Sequence, residues 1–160
     1  LSTKVLDVYL HDMLAGKLKQ SRYGSLSFTY TAHYLEQNRN AISLSLPLQQ
    51  QPFNGDRVKA FFSGLLPDEI IKQRLASYLG LSAQNPFALL RAIGGECAGA
   101  LSLYPEGQLP PDDTTKDVEI LDDSKLRDIL NLLKRHPLLA GEDNIRLSLA
   151  GAQDKLAVGL

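Results

Sequence analysis

Alternation with a period of two dominates the first half of the chain and commits it to a sheet with one wet face. Leu26, Phe28 and Tyr30 alternate with Ser25, Ser27 and Thr29, and Ile42, Leu44 and Leu46 alternate with Ser43 and Ser45. Leu6, Val8 and Leu10 point to one side of an earlier segment. There His11 to Gly16 is predicted as a turn, and Leu18 lies on a short return strand. Successive side chains on a strand face opposite ways, so each segment buries one side and solvates the other. Short strands of this kind form antiparallel sheets covered on one face. Pro47 lacks a ladder N–H, so it ends its strand or places it at an edge.

Helical spacing takes over after that. Gly55-Asp56 offers an N-cap, and Val58, Phe61, Phe62 and Leu65 fall at i, i+3, i+4 and i+7. Pro67 with Asp68 and Glu69 predicts the first turn of a second helix, since proline and acids suit a helix start. Its expected buried stripe is Ile71, Leu75, Tyr78 and Leu79, with Gly80 as the stop. Asn85-Pro86 opens a third helix ended by Gly94-Gly95, and Ala98 to Tyr104 is predicted as a strand. Pro105 to Thr115 is rich in proline, glycine and aspartate and is the one linker-like stretch. Beyond it, Ser124 is the expected cap of a helix carrying Leu126, Ile129, Leu130 and Leu133, closed by His136-Pro137. The fold class is therefore α+β.

Bulk properties exclude some functions. A formal net charge of −1 across 160 residues argues against a protein that binds nucleic acid by its own electrostatics. No apolar run approaches the roughly 18 residues of a membrane span, and no signal peptide stands at the N-terminus, which opens Leu1-Ser2-Thr3. The single cysteine, Cys97, has no partner for an internal disulfide and suits a reducing compartment, so a cytoplasmic location is expected. His11, His33 and His136 have no second ligand at metal-binding spacing. Gly94 to Gly99 spaces two glycines as a phosphate-binding P-loop does, but Ala100 and Leu101 stand where Lys and Ser/Thr are needed.

The segment with chemical promise lies near the C-terminus. Ile145, Leu147 and Leu149 alternate with Arg146 and Ser148, and Leu156, Val158 and Leu160 alternate with Lys155 and Ala157. Between them, Ala150-Gly151-Ala152-Gln153-Asp154 is a turn of mostly small residues. Such a turn lets backbone N–H groups approach an anion unobstructed. The plainer account is a hairpin glycine serving a positive φ. Ser148 has no neighbouring histidine to activate it, so a hydrolase is not indicated. The last strand runs to Leu160 without a downstream neighbour, and a piece of something longer is expected.

Ser148-Leu149-Ala150-Gly151-Ala152-Gln153-Asp154-Lys155 resembles the Ser-x-Ala-Gly-Ala-Gln-x-Lys segment of HipA-type serine/threonine kinase toxins. Three further segments resemble that family in the same order: Ile42 to Leu48, Phe61 to Asp68 and Ile93 to Ala100. The resemblance implies an N-terminal domain over residues 1–106, followed over residues 107–160 by the opening helix and nucleotide-loop hairpin of a kinase N-lobe. It implies ATP with Mg²⁺, held by amides of Ala150, Gly151, Ala152, Gln153 and Asp154. Lys155 either neutralises phosphate charge or is a solvent-facing strand lysine. Ser148 matches the family's autophosphorylation serine, and a polar residue on the outer strand face would give the same pattern.

The resemblance also implies partners: a helix-turn-helix antitoxin dimer that carries the operator-DNA contacts, and a protein substrate, in known members an aminoacyl-tRNA synthetase. Phosphoryl transfer further needs a later lysine, a catalytic Asp and metal-binding Asp/Asn residues. No segment like H-R-D or D-F-G occurs in these residues, so no catalytic residue is assigned and the chain alone is expected to be inactive. A rival reading is a stand-alone, non-catalytic module that regulates a separately encoded kinase.

Overall fold

The computed structural model describes residues 3–37, 39–96, 100–111 and 122–135. Strands β1 (Lys4–Leu10) and β2 (Met13–Gln20) form a hairpin, and β3 (Leu26–Tyr30) pairs with β2. Two more strands complete the sheet: a two-residue β4 (Phe53–Asn54) and β5 (Leu101–Pro105). The order is β4-β3-β2-β1-β5, antiparallel throughout, so β5 returns from far along the chain to flank the first strand.

The core lies under one face. Leu6, Val8, Leu18, Phe28 and Leu103 are buried there. Helix α2 (Asp56–Ser63) contributes Val58 and Phe62, and α4 (Pro86–Ile93) contributes Phe87, Leu89 and Leu90. The Phe28 and Phe62 rings meet with centroids 5.5 Å apart. Helix α3 (Glu69–Leu79) buries Ile71 and Leu75 in a smaller cluster beside Leu79 and Ile93. The Asp68 carboxylate caps α3 by accepting from the Ile71 N–H at 3.1 Å, and Gly80 ends it at φ 64°. Asn85 caps α4 in the same way through the Ala88 N–H at 3.2 Å.

Several expectations are corrected. The β1–β2 connection is only His11-Asp12, not His11 to Gly16, and His11 takes the positive φ (53°) such a tight turn uses. Gly16 is small because of packing: a Cβ there would stand 2.5 Å from the Phe28 ring and the Thr29 carbonyl. A register shift between Val8 and Tyr9 accompanies the hairpin.

Ile42 to Leu46 is not a strand. It is a turn closed by the Leu46 N–H on the Ser43 carbonyl, with Leu44 wholly exposed and Leu46 wholly buried. The Ser43 hydroxyl accepts from the Ser45 N–H and so competes with a ladder. Two buried tyrosines bond backbone groups in and beside this turn. The Tyr30 hydroxyl donates to the Leu46 carbonyl and accepts from the Ile42 N–H, while Tyr34 donates to the Asn40 carbonyl.

On α3, Tyr78 is 44% exposed and Ala76 takes the buried place expected of it, while Pro67 lies one residue before the cap. A short helix α1 (Ala32–Glu36) capped by Thr31 follows β3, placing His33 in a helix. Helix α5 (Asp123–Arg135) is capped by Asp122, not Ser124. The Asp122 carboxylate accepts from the Lys125 N–H and the Ser124 hydroxyl, both at 2.8 Å, and its charge suits the positive end of the helix.

Candidate functional site

Ser148 and the turn Ala150, Gly151, Ala152, Gln153, Asp154 and Lys155 lie outside the described residues, as do Cys97 and His136. Of the two glycines in the rejected P-loop spacing, Gly99 lies outside the described residues, while Gly94 and its neighbour Gly95 have a packing explanation. Gly94 and Gly95 form a 3-10 turn with Glu96 beside β5. A Cβ at Gly94 would sit 2.8 Å from the Leu103 side chain, and one at Gly95 would sit 3.0 Å from the Tyr104 ring. Close approach to an edge strand, with Tyr104 donating to the Gly95 carbonyl, accounts for them. Among the described residues no group of His, Cys, Asp and Glu could hold a metal ion. His11 and His33 are both exposed.

What the described residues do assemble is a polar cluster on the sheet face away from the core, which sequence reasoning missed. Asp7 on β1 is the one buried charged residue among them, at 4% exposure. Register puts it between Lys17 on β2 and Tyr104 on β5. Lys17 Nζ lies 3.2 Å from Asp7 Oδ1, an ion pair without hydrogen-bond alignment, and 2.6 Å from Glu106 Oε1. Asp7 Oδ2 accepts from the Gly107 N–H at 2.8 Å. The Glu106 carboxylate, joined by Asp7, holds the Lys17 ammonium above its ordinary pKa against an opposing push from burial. Tyr9, packed edge-on against Tyr104 at 6.0 Å, is pushed up by burial and then by the charge of Asp7. Asp7 and Lys17 each stand between apolar neighbours of a strand, but their pairing depends on strand register.

This cluster joins residues about a hundred positions apart around a resident ammonium. It holds chain segments together and offers no nucleophile or open acid–base pair. The second organised surface is the turn of residues 40–46, fixed from beneath by stacked Tyr30 and Tyr34, with ring centroids 5.8 Å apart.

The family model of the HipA N-terminal domain matches residues 6–104, which run from β1 almost to the end of β5. The chain belongs to that family. Y4mE of Sinorhizobium fredii, which carries a kinase name, is 40% identical over all of this chain and 39% of its own length. The serine/threonine-protein kinase toxin HipA of Shewanella oneidensis is 29% identical, over 96% of this chain and 35% of its own. A Haemophilus influenzae protein without an assigned function is 28% identical over 63% of this chain, and that match covers 92% of its length.

Among solved structures, the complex of HipA, HipB and operator DNA from the Shewanella oneidensis MR-1 toxin–antitoxin system superposes at a TM-score of 0.68. It is 28% identical and covers 94% of this chain and 34% of that one. The HipA-type N-terminal fold expected from the four motif segments is thus present, with its five-stranded antiparallel sheet and helices. The chain spans about a third of the length of the kinase-named relatives. Among the described residues no helix is long and apolar enough to cross a membrane.

Proposed function

We propose that this chain is the N-terminal part of a HipA-like serine/threonine protein kinase toxin, with a domain over residues 1–106 and the start of a kinase lobe over 107–160. The observation that carries this is the extent of likeness. The Sinorhizobium relative aligns along the whole chain, including the Ser148 to Lys155 segment, well past the end of the family match at residue 104. A module that only regulates needs no such extension.

In this reading the amides of Ala150 to Asp154 cradle the ATP phosphates, Lys155 neutralises their charge, and the Mg²⁺ ligands belong to the kinase region beyond these residues. Ser148 is the regulatory position. Phosphorylation there adds about −1.5 to −2 units of charge, which compete for the amides that face ATP and switch the kinase off. The structural likeness to a HipA–HipB–DNA complex supports an antitoxin of the HipB kind as partner, with the antitoxin carrying the DNA contacts.

The test is to incubate the longer polypeptide with ATP and Mg²⁺ and map its phosphosites by mass spectrometry. Modification at Ser148 is expected, and a protein that modifies itself only elsewhere removes the switch. Radiolabelled ATP should show no turnover by the 160-residue chain alone.

A second reading has its own observation. The Haemophilus relative is nearly all matched by 63% of this chain, so the domain also occurs in a much shorter protein. That favours a stand-alone regulatory module acting on a separate kinase. An open reading frame that continues into an Asp-containing catalytic loop decides for the kinase; one that stops near residue 160 decides for the module.

A further inference from the structure

Strand β5 pairs with β1 on one side only, and it ends in a turn in which the Gln108 N–H bonds the Pro105 carbonyl at 2.9 Å with Gly107 at φ 82°. Residues 106–108 leave the sheet through this turn. The outer-face cluster grips it at two adjacent residues. Lys17 reaches from β2 across β1 to Glu106, 89 positions away, and Asp7 takes the Gly107 N–H from 100 positions away. The grip has a protected half and an open half. Asp7 is 5% exposed at its side chain, whereas Lys17 is 34% and Glu106 56% exposed.

We propose that Asp7, Lys17 and Glu106 form a latch whose release frees the Pro105–Gln108 turn without unfolding the sheet, and so governs the direction in which the chain leaves this domain. Three geometric facts carry it. The fastened residues lie just past the end of the regular ladder, at Leu6 opposite Pro105, so they can detach without breaking strand pairing. Their partners sit on β1 and β2, the two strands most fully embedded in the sheet, so the anchor stays when the strap goes. Lys17 keeps Asp7 as a counter-charge after Glu106 departs, so the released state leaves neither buried Asp7 nor Lys17 without a counter-charge.

Because the Lys17–Glu106 contact is partly exposed, it is the weak and salt-sensitive half. Losing it should open the turn about two- to fivefold more often. Raising salt from about 0.05 M to about 0.5 M shortens the Debye length from about 14 Å to about 4 Å and should act the same way.

The experiment is amide hydrogen exchange by NMR on the 160-residue chain, unmodified and as Glu106→Gln. In the unmodified chain the Gly107 amide should exchange at least about tenfold more slowly than an unprotected amide, as expected of a bonded group. Glu106→Gln should speed Gly107 about two- to fivefold and leave Val8 and Leu18 unchanged. High salt should speed Gly107 in the unmodified chain and have little further effect in the variant. Three results overturn the latch: a Gly107 amide already unprotected, a Gly107 rate indifferent to both the variant and salt, or Gly107 and Val8 accelerating together, which would mean a general loss of stability.

Discussion

Replacing Tyr30 with phenylalanine removes one oxygen atom and should cost far more than the same change at Tyr34. The Tyr30 hydroxyl is buried and makes two bonds, donating to the buried Leu46 carbonyl and accepting from the Ile42 N–H at 3.0 Å. Phenylalanine keeps the ring, so the edge-on contact with Phe28 at 4.9 Å and the stack on Tyr34 survive. What changes is that a buried carbonyl loses its donor, at about 1–3 kcal/mol, and a half-buried N–H loses its acceptor, at about 0.5–1 kcal/mol because water can reach it.

The sum is about 1.5–4 kcal/mol for Tyr30→Phe. Tyr34→Phe breaks a single bond, 2.8 Å to the carbonyl of exposed Asn40, and should cost about 0.5–1 kcal/mol. Urea unfolding followed by far-UV circular dichroism measures both, since the chain has no tryptophan to report by fluorescence. In melting temperature, at about 3 °C per kcal/mol for a chain of this length, the Tyr30 variant should fall by about 5–12 °C and the Tyr34 variant by about a quarter to a third of that. A Tyr30 variant within about 0.5 kcal/mol of the parent would refute the claim that these hydroxyls hold the turn. Equal losses at the two positions would refute it as well.

Glycine substitutions should separate crowding from backbone strain. Gly16→Ala drives a methyl into the Phe28 ring and the fixed Thr29 carbonyl, and should cost about 3 kcal/mol or more, whereas Gly80→Ala meets open space and only the left-handed penalty of about 1 kcal/mol. Thermal melts of both variants test the ranking. Stability should also decline in alkali. Burial raises Tyr9, Tyr30 and Tyr34, and the Glu106 carboxylate raises Lys17, so in each case the unfolded chain loses its proton first. Their stabilisation is complete below the ordinary values of 10.0 and 10.5 and disappears as pH rises through the higher folded values. Melting temperatures taken from about pH 8 to about pH 11 should fall, and less steeply in a Tyr30→Phe, Tyr34→Phe double variant; a flat profile contradicts the assignment.

Local chemistry made much of the framework legible. The alternation in Leu26 to Tyr30, the Asn85-Pro86 start and the Gly80 stop act through neighbours in sequence, and each element appears where those residues place it. The Ser148 to Lys155 string lies outside the described residues, and its likeness to the kinase toxins is carried by residue order alone.

Misreadings fall where distant partners outbid a local pattern. Ile42 to Leu46 alternates as a strand should, yet the Tyr30 hydroxyl and the Ser43 side chain take backbone groups at its ends and middle, and it folds into a turn. Gly16 reads as a turn residue until Phe28 lies across it, and Gly94, which ends α4 as its sequence suggests, lacks a side chain also because β5 lies beside it. The same holds for Asp7. Nothing near it in the chain foretells burial, because Lys17, Glu106 and the Gly107 N–H reach it only once β5 has closed the sheet beside β1. Period, caps and motif order depend on covalent adjacency and survive in one dimension. Burial, charge pairing and ring-over-glycine contacts depend on which strands become neighbours, and that is settled by the collapse of the whole domain.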